Sequence, residues 1–263
     1  MLKETLPIIY QDDTLIAVNK PSGLLVHRSE LDRHETRFAL QILRDQVGRR
    51  VYPVHRLDKP TSGLLLMAFS SDTARALAHQ FEAGTPRKRY LAIVRGHPPL
   101  GGIIRHPLQD PDDPRGDQAP LQDALTVYHR LATTTLPISL DSRYPTARYA
   151  LMHVKLCTGR RHQIRRHFKH ISHHLIGDSN YGKGNHNRYL RDHYGCSRLM
   201  LCAIGIDIIH PETGTLLQLQ AKPSPDFTTA AQALGWQDAL ARPFTPKNPH
   251  PPTTDDSTIP APT

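Results

Sequence analysis

"HRLDKPTSGLLLMAF" (residues 55–69) begins as a charged turn and ends as an unbroken apolar run. Pro60, Thr61, Ser62 and Gly63 are turn formers, and six apolar residues from Leu64 to Phe69 follow without a polar interruption. A run this short, with neither alternation nor helical spacing, predicts a strand covered on both faces. Such a strand needs a layer above it and another below, so the sheet belongs in the middle of the fold. One carboxylate, Asp58, sits among His55, Arg56 and Lys59 immediately before it.

Upstream, "PIIYQDD" (7–13) and "TLIAVN" (14–19) read as a strand hairpin, and "KPSG" (20–23) supplies turn chemistry before "LLVH" (24–27). Phe38, Leu40, Ile42, Leu43 and Val47 recur at mostly helical spacing over 36–47, and Gly48 marks the stop. Downstream, Ser70 or Ser71 caps a helix reaching Glu82, with Ala74, Leu77, Ala78 and Phe81 inward and Gly84 ending it. "RYLAIVRG" (89–96) is the next strand. Residues 97–123, rich in Pro, Gly and Asp and without a sustained period, are expected to form a long surface excursion.

Strand character resumes over 147–157. A helix is expected from about Gly159 to Ser172, with Ile164, Phe168 and Ile171 as its apolar stripe. Residues 197–211 and 214–221 form a strand pair, and 226–234 a short amphipathic helix. Strands and helices mix without strict βαβ alternation. The expected class is α+β, with a mixed, largely antiparallel central sheet flanked by helices. Residues 1–242 make one catalytic-sized domain; in 243–263, seven of 21 residues are proline, which predicts a disordered tail.

The chain has 263 residues, 38% of them hydrophobic, and can bury a substantial core. Its 33 Lys and Arg against 24 Asp and Glu leave a net charge of +9, which favours a polyanionic partner, nucleic acid before membrane. No leader-like segment or membrane-length apolar run is present in it, so a cytoplasmic location is expected. Cys157, Cys196 and Cys202 lack a C-x-x-C spacing and read as buried thiols rather than a disulfide or zinc framework.

The charge is concentrated. Between Ser142 and Gly177 there is no acidic residue, while Arg143, Arg148, Lys155, Arg160, Arg161, Arg165, Arg166 and Lys169 are basic. Six histidines lie in the same stretch, and His167, His170 and His174 are spaced to share helix faces. A solvated helix face and a zinc site are the alternatives to an RNA-binding wall. No H-E-x-x-H or neighbouring carboxylate supports the metal, so none is expected. Asp58 by itself reads either as a turn former or as an ionised carboxylate backed by an arginine, a competent nucleophile or base.

Four ordered blocks decide between these. "VNKPSGLLVH" (18–27), "HRLDKPTSGLLLMA" (55–68), "KRYLAIVRG" (88–96), and "TGRRHQIRRHF" with "IGDSNYG" (158–168 and 176–182) resemble the motifs of RluA-type pseudouridine synthases. The resemblance extends over roughly residues 8–220 and is nearest to the branch that modifies uridine 65 of tRNA, with ribosomal RNA as the alternative substrate. It implies the pseudouridine synthase fold with its cleft across the sheet, no cofactor, and a monomer. Residue by residue, it implies Asp58 as the catalytic carboxylate, Arg165 as its ion-pair partner, and Tyr90 as the residue stacking on the target base and a candidate in C5 proton removal. Arg56 would enter the RNA stack, Ile164 would wall the pocket, and Arg160, Arg161 and His162 would bind substrate. The rival of another class is a non-catalytic RNA-binding protein, in which Asp58 and Tyr90 have no task.

Overall fold

In the computed structural model, which describes residues 4–28 and 34–241, the entry hairpin is β1 (Ile8–Gln11) and β2 (Leu15–Lys20). Helix α1 (Ala39–Val47) ends at Gly48 in the left-handed conformation. A two-residue strand, β3 (Tyr52–Pro53), precedes the charged turn, and the apolar run after it is β4 (Ser62–Ala68), buried at every position. Helix α2 (Ser71–Glu82) starts at Ser70, whose side chain accepts from the Thr73 amide. Then follow β5 (Arg87–Arg95), β6 (Gly101–Arg105), β7 (Leu125–Leu136), β8 (Ala147–Leu156), α3 (Gln163–His170) and α4 (Gly184–Tyr194). The chain closes with β9 (Leu201–Ile209), β10 (Leu216–Gln220), α5 (Pro225–Ala233) and α6 (Gln237–Ala241).

Among the described residues, ten strands form one sheet in the order β1-β2-β4-β9-β5-β8-β7-β6, with β10 on β9 and β3 on β4. All pairs are antiparallel except β4 with β9. The pleat sends Leu65 and Met67 of β4 into a core shared with α1 and α3, and Leu64, Leu66 and Ala68 into another shared with α2. A third core, around Tyr149, Leu190, Phe227 and Trp236, joins α4 and α5 to the sheet. Helices therefore cover both faces, which is why β4 carries no polar side chain after Ser62.

The parallel contact is what positions the site. Gly63 pairs with Ala203 of β9, and Ala203 pairs in turn with Tyr90 of β5. A β-carbon at Gly63, whose φ is 111°, would lie 2.1 Å from the Ala203 carbonyl oxygen, so only glycine permits this approach. On β5 the register slips between Arg89 and Tyr90, a bulge that re-aims Tyr90 towards the turn carrying Asp58. Both residues thus line the same cleft.

Two expectations about the elements need correction. The excursion over 97–123 contains β6, an edge strand paired with β7, and β7 itself carries no clear signal in the sequence. Alternation in β7 is weak because residues beyond Tyr128 are half-buried or exposed, which hides its period. The helix expected from Gly159 begins only at Gln163, since His162 is left-handed and residues before it form a turn. The tail over 243–263 lies outside the described residues. Cys196 and Cys202 are buried thiols and Cys157 is half-buried.

Candidate active site

The charged turn is clamped from two sides. Thr61 N–H donates to the Asp58 carbonyl at 3.0 Å, closing the turn around Lys59 and Pro60. The "KPSG" loop then holds it: Gly23 N–H reaches the Lys59 carbonyl at 2.8 Å, and the Ser22 hydroxyl reaches that of Pro60 at 2.7 Å. Lys20 is fully buried, and its Nζ donates to the carbonyls of Pro21, Leu24 and Lys59. Burial draws the Lys20 ammonium down to about 7, against the pull of Asp58's charge. On the other side, His55 Nε2 accepts the Leu66 amide at 3.0 Å, where the short β3 ladder has ended, and its ring stacks on Phe81. Burial pushes His55 down to about 4, consistent with a neutral accepting ring.

The second half of the site comes from the start of α3. Gln163 is buried and makes four hydrogen bonds, accepting from Thr158 Oγ1 and Arg160 N–H and donating to the Leu125 carbonyl and Thr126 Oγ1. This fixes the turn so that the first helical turn presents Ile164 and Arg165. Arg165, 4% exposed, makes two 2.8 Å bonds to Asp178 and one of 3.4 Å to Asp58 Oδ2. Burial works against its charge, but Asp178 and then Asp58 hold the guanidinium more firmly ionised than usual. Asp178, wholly buried, is in turn drawn below the ordinary carboxylate range by Arg165 and by two backbone amides, despite its burial.

All eight residues singled out from the sequence line one cleft of about 420 Å³: Arg56, Asp58, Tyr90, Arg160, Arg161, His162, Ile164 and Arg165. Asp58 is 19% exposed there, within reach of a ligand yet not in bulk water. Ile164 serves both as core and as cleft wall. Tyr90 is 7% exposed; burial and the Asp58 charge push its phenol well above the ordinary range, so it stays protonated. Arg56 is exposed.

Other groups escaped the sequence reading. Asp178 is the principal partner of Arg165, although the "GD" of "IGDSNYG" was visible. The excursion sends Asp110 and Asp112 to the cleft mouth, where Asp112 pairs with Arg161. Arg160 Nε donates to the Asp123 carbonyl, and Arg166 to that of Gln109. The acid-free stretch is therefore not acid-free in space, and its cations do not form one open wall. The histidines are taken up in structural contacts: His167 contacts the His106 carbonyl, His170 stacks on His106, and His174 contacts the Tyr181 carbonyl. Among the described residues, no group of three or more His, Cys, Asp or Glu could hold a metal.

This architecture is that of pseudouridylate synthases. The human RNA pseudouridylate synthase domain containing 4 superimposes with a TM-score of 0.67 at 24% identity, covering 87% of this chain and 93% of that one. The human RNA pseudouridylate synthase domain containing 1 gives 0.64 at 25% identity, covering 86% of each. Residues 14–170 match the RNA pseudouridylate synthase family, and the chain belongs to it. Relatives called tRNA pseudouridine synthase C include those of Pasteurella multocida (51% identical over 88% of this chain and 97% of that protein) and Yersinia pestis (48%, over 88% and 91%). A Pectobacterium carotovorum relative of the same name is 48% identical over 89% of this chain, which spans 64% of its length.

Proposed function

We propose that this protein isomerises uridine to pseudouridine in tRNA, at position 65, as a cytoplasmic monomer that needs no cofactor. The observation that carries the reading is Asp58, a partly exposed carboxylate backed by a buried Arg165 in a cleft of about 420 Å³. The names of the matched relatives support tRNA as substrate, and identities of 43–51% support the same branch. No helix among the described residues is long and apolar enough to cross a membrane.

The target nucleotide must leave its stack before its C1′ and C5 can be reached, at a cost on the order of a few kcal/mol. Arg56 fills the vacated position and Tyr90 stacks on the extruded base in this reading, which the presence of both in the cleft lining supports. Asp58 then acts as an anion by one of two routes. It attacks C1′, forming a glycosyl ester as uracil departs with the N1 electron pair, or it takes the C2′ proton, forming a glycal as the same bond breaks. Uracil turns within the cleft and C5 bonds to C1′ as the Asp58 ester bond breaks or, on the glycal route, as C2′ takes its proton back from Asp58; loss of the C5 proton then restores the uracil ring. Tyr90's raised phenol suits stacking better than removal of that proton.

Asp58→Asn tests the reading. Wild-type protein incubated with a tRNA transcript is expected to give pseudouridine at position 65, and Asp58→Asn none, with tRNA affinity retained because the basic residues are untouched. Near-wild-type product from Asp58→Asn would end the mechanism. Product from ribosomal RNA but not tRNA would move the substrate.

A further inference from the structure

His162 is held with φ 54° and ψ 25°, in the left-handed region uncommon for residues that carry a β-carbon. The four hydrogen bonds of adjacent Gln163 enforce that backbone, a strain that persists only where the surroundings over-determine it. Its consequence is the direction of the ring. Nδ1 lies 3.1 Å from the Tyr181 hydroxyl, and Nε2 lies 3.8 Å from Asp58 Oδ2. Tyr181 is itself fixed, with the Arg165 guanidinium 5.1 Å and the Lys169 ammonium 5.6 Å from its ring centroid.

Charged groups meet His162 from every side: Asp58 from the turn before β4, Asp178 from the loop before α4, Arg165 from α3, and adjoining Arg161. Burial, Arg165 and Arg161 lower its proton affinity more than the two carboxylates raise it, so the ring is neutral at neutral pH. A neutral imidazole carries one proton. With a carboxylate facing Nε2, that proton belongs on Nε2, and Nδ1 accepts the Tyr181 hydroxyl. Arg165 Nη1 also meets Asp58 at Oδ2, 3.4 Å away, so the guanidinium and the imidazole edge, 3.8 Å off and beyond hydrogen-bond distance, face the same oxygen.

We propose that His162, oriented by Tyr181, is a positioning residue for Asp58: beside the Arg165 contact it turns its Nε2–H edge towards Oδ2, which biases the carboxylate to keep Oδ2 on that side and leave Oδ1 as the oxygen that meets the sugar. The inference rests on the pseudouridine synthase reading and replaces a simple RNA-phosphate contact for His162.

Steady-state kinetics on the tRNA transcript separate the two roles. Asparagine tolerates the left-handed backbone but is too short to span from Tyr181 to Asp58, so His162→Asn is the informative variant. It is expected to lower kcat by about 10- to 100-fold with KM and tRNA affinity nearly unchanged. Tyr181→Phe should lower kcat less, and the double variant should be no slower than His162→Asn, because both act through one chain of contacts. A raised KM with kcat preserved, or additive losses in the double variant, would overturn the proposal. Independently of any loss of folding in a variant, ¹⁵N spectra of the wild-type protein should show His162 protonated at Nε2, and Nδ1 protonation would overturn it too. Absence of product from the wild-type protein would instead sink the functional reading itself.

Discussion

Replacing Asp178 tests the electrostatic frame of the site more severely than replacing Asp58, the proposed catalytic carboxylate. In Asp178→Ala, Arg165 loses both of its 2.8 Å bonds while remaining 4% exposed, and the amides of Asn180 and Tyr181 lose their acceptor. Removing one partner of a buried pair costs about 3–5 kcal/mol, because the remaining charge is left uncompensated. For a domain of this size that lowers Tm by roughly 6–15 °C. Part of the loss is recovered functionally in the wrong way. The freed guanidinium has Asp58 only 3.4 Å away and will draw it into a full ion pair, turning the reacting carboxylate out of the cleft. A kcat loss of about 100-fold is expected from a displacement of this kind. Asp178→Asn, which keeps one acceptor oxygen and the volume, should recover part of both. Calorimetry and single-turnover pseudouridine formation supply the measurements. If Asp178→Ala melted with the wild-type protein and reacted at its rate, the shared-arginine argument would be wrong.

Two further outcomes follow from the same geometry. His186 and His153 are buried, burial chiefly lowers them to about 4 and about 3, and both are neutral in the fold, whereas in the unfolded chain they protonate near pH 6.5. The unfolded state thus binds more protons below that pH, so stability is present above about 6.5 and lost as pH falls towards 4, by on the order of 3 kcal/mol for His186. Urea titrations across that window should show a shallower pH slope in His186→Gln. Asp112 occupies Arg161 at the cleft mouth, so Asp112→Ala should bind tRNA more tightly and steepen the dependence of log K on log salt by about one phosphate contact; an unchanged salt slope would show that Arg161 does not meet the RNA.

The apolar run after Asp58 was enough to predict a strand buried on both faces, because a strand's covering layers are written in its own composition. The helix caps at Ser70 and Gly48 were legible for a similarly local reason, since each satisfies or ends its helix within a few residues. Motif order alone carried Asp58, Tyr90 and Arg165 to a common site. Partners distant in the chain were not legible. No spacing announces that "KPSG" clamps the turn at Lys59 and Pro60, that Asp178 rather than Asp58 is the main counter-ion of Arg165, or that the acidic excursion folds back on Arg161. β7 was not legible because a half-buried strand next to the sheet edge keeps little of the alternation that burial imposes. A residue's own tendencies depend on its neighbours in sequence, whereas charge compensation and hydrogen-bond satisfaction depend on neighbours in space. Packing three strands through the contact of Gly63 with Ala203 and of Ala203 with Tyr90 decides those, and it turned an aspartate in a basic stretch into a carboxylate facing a cleft.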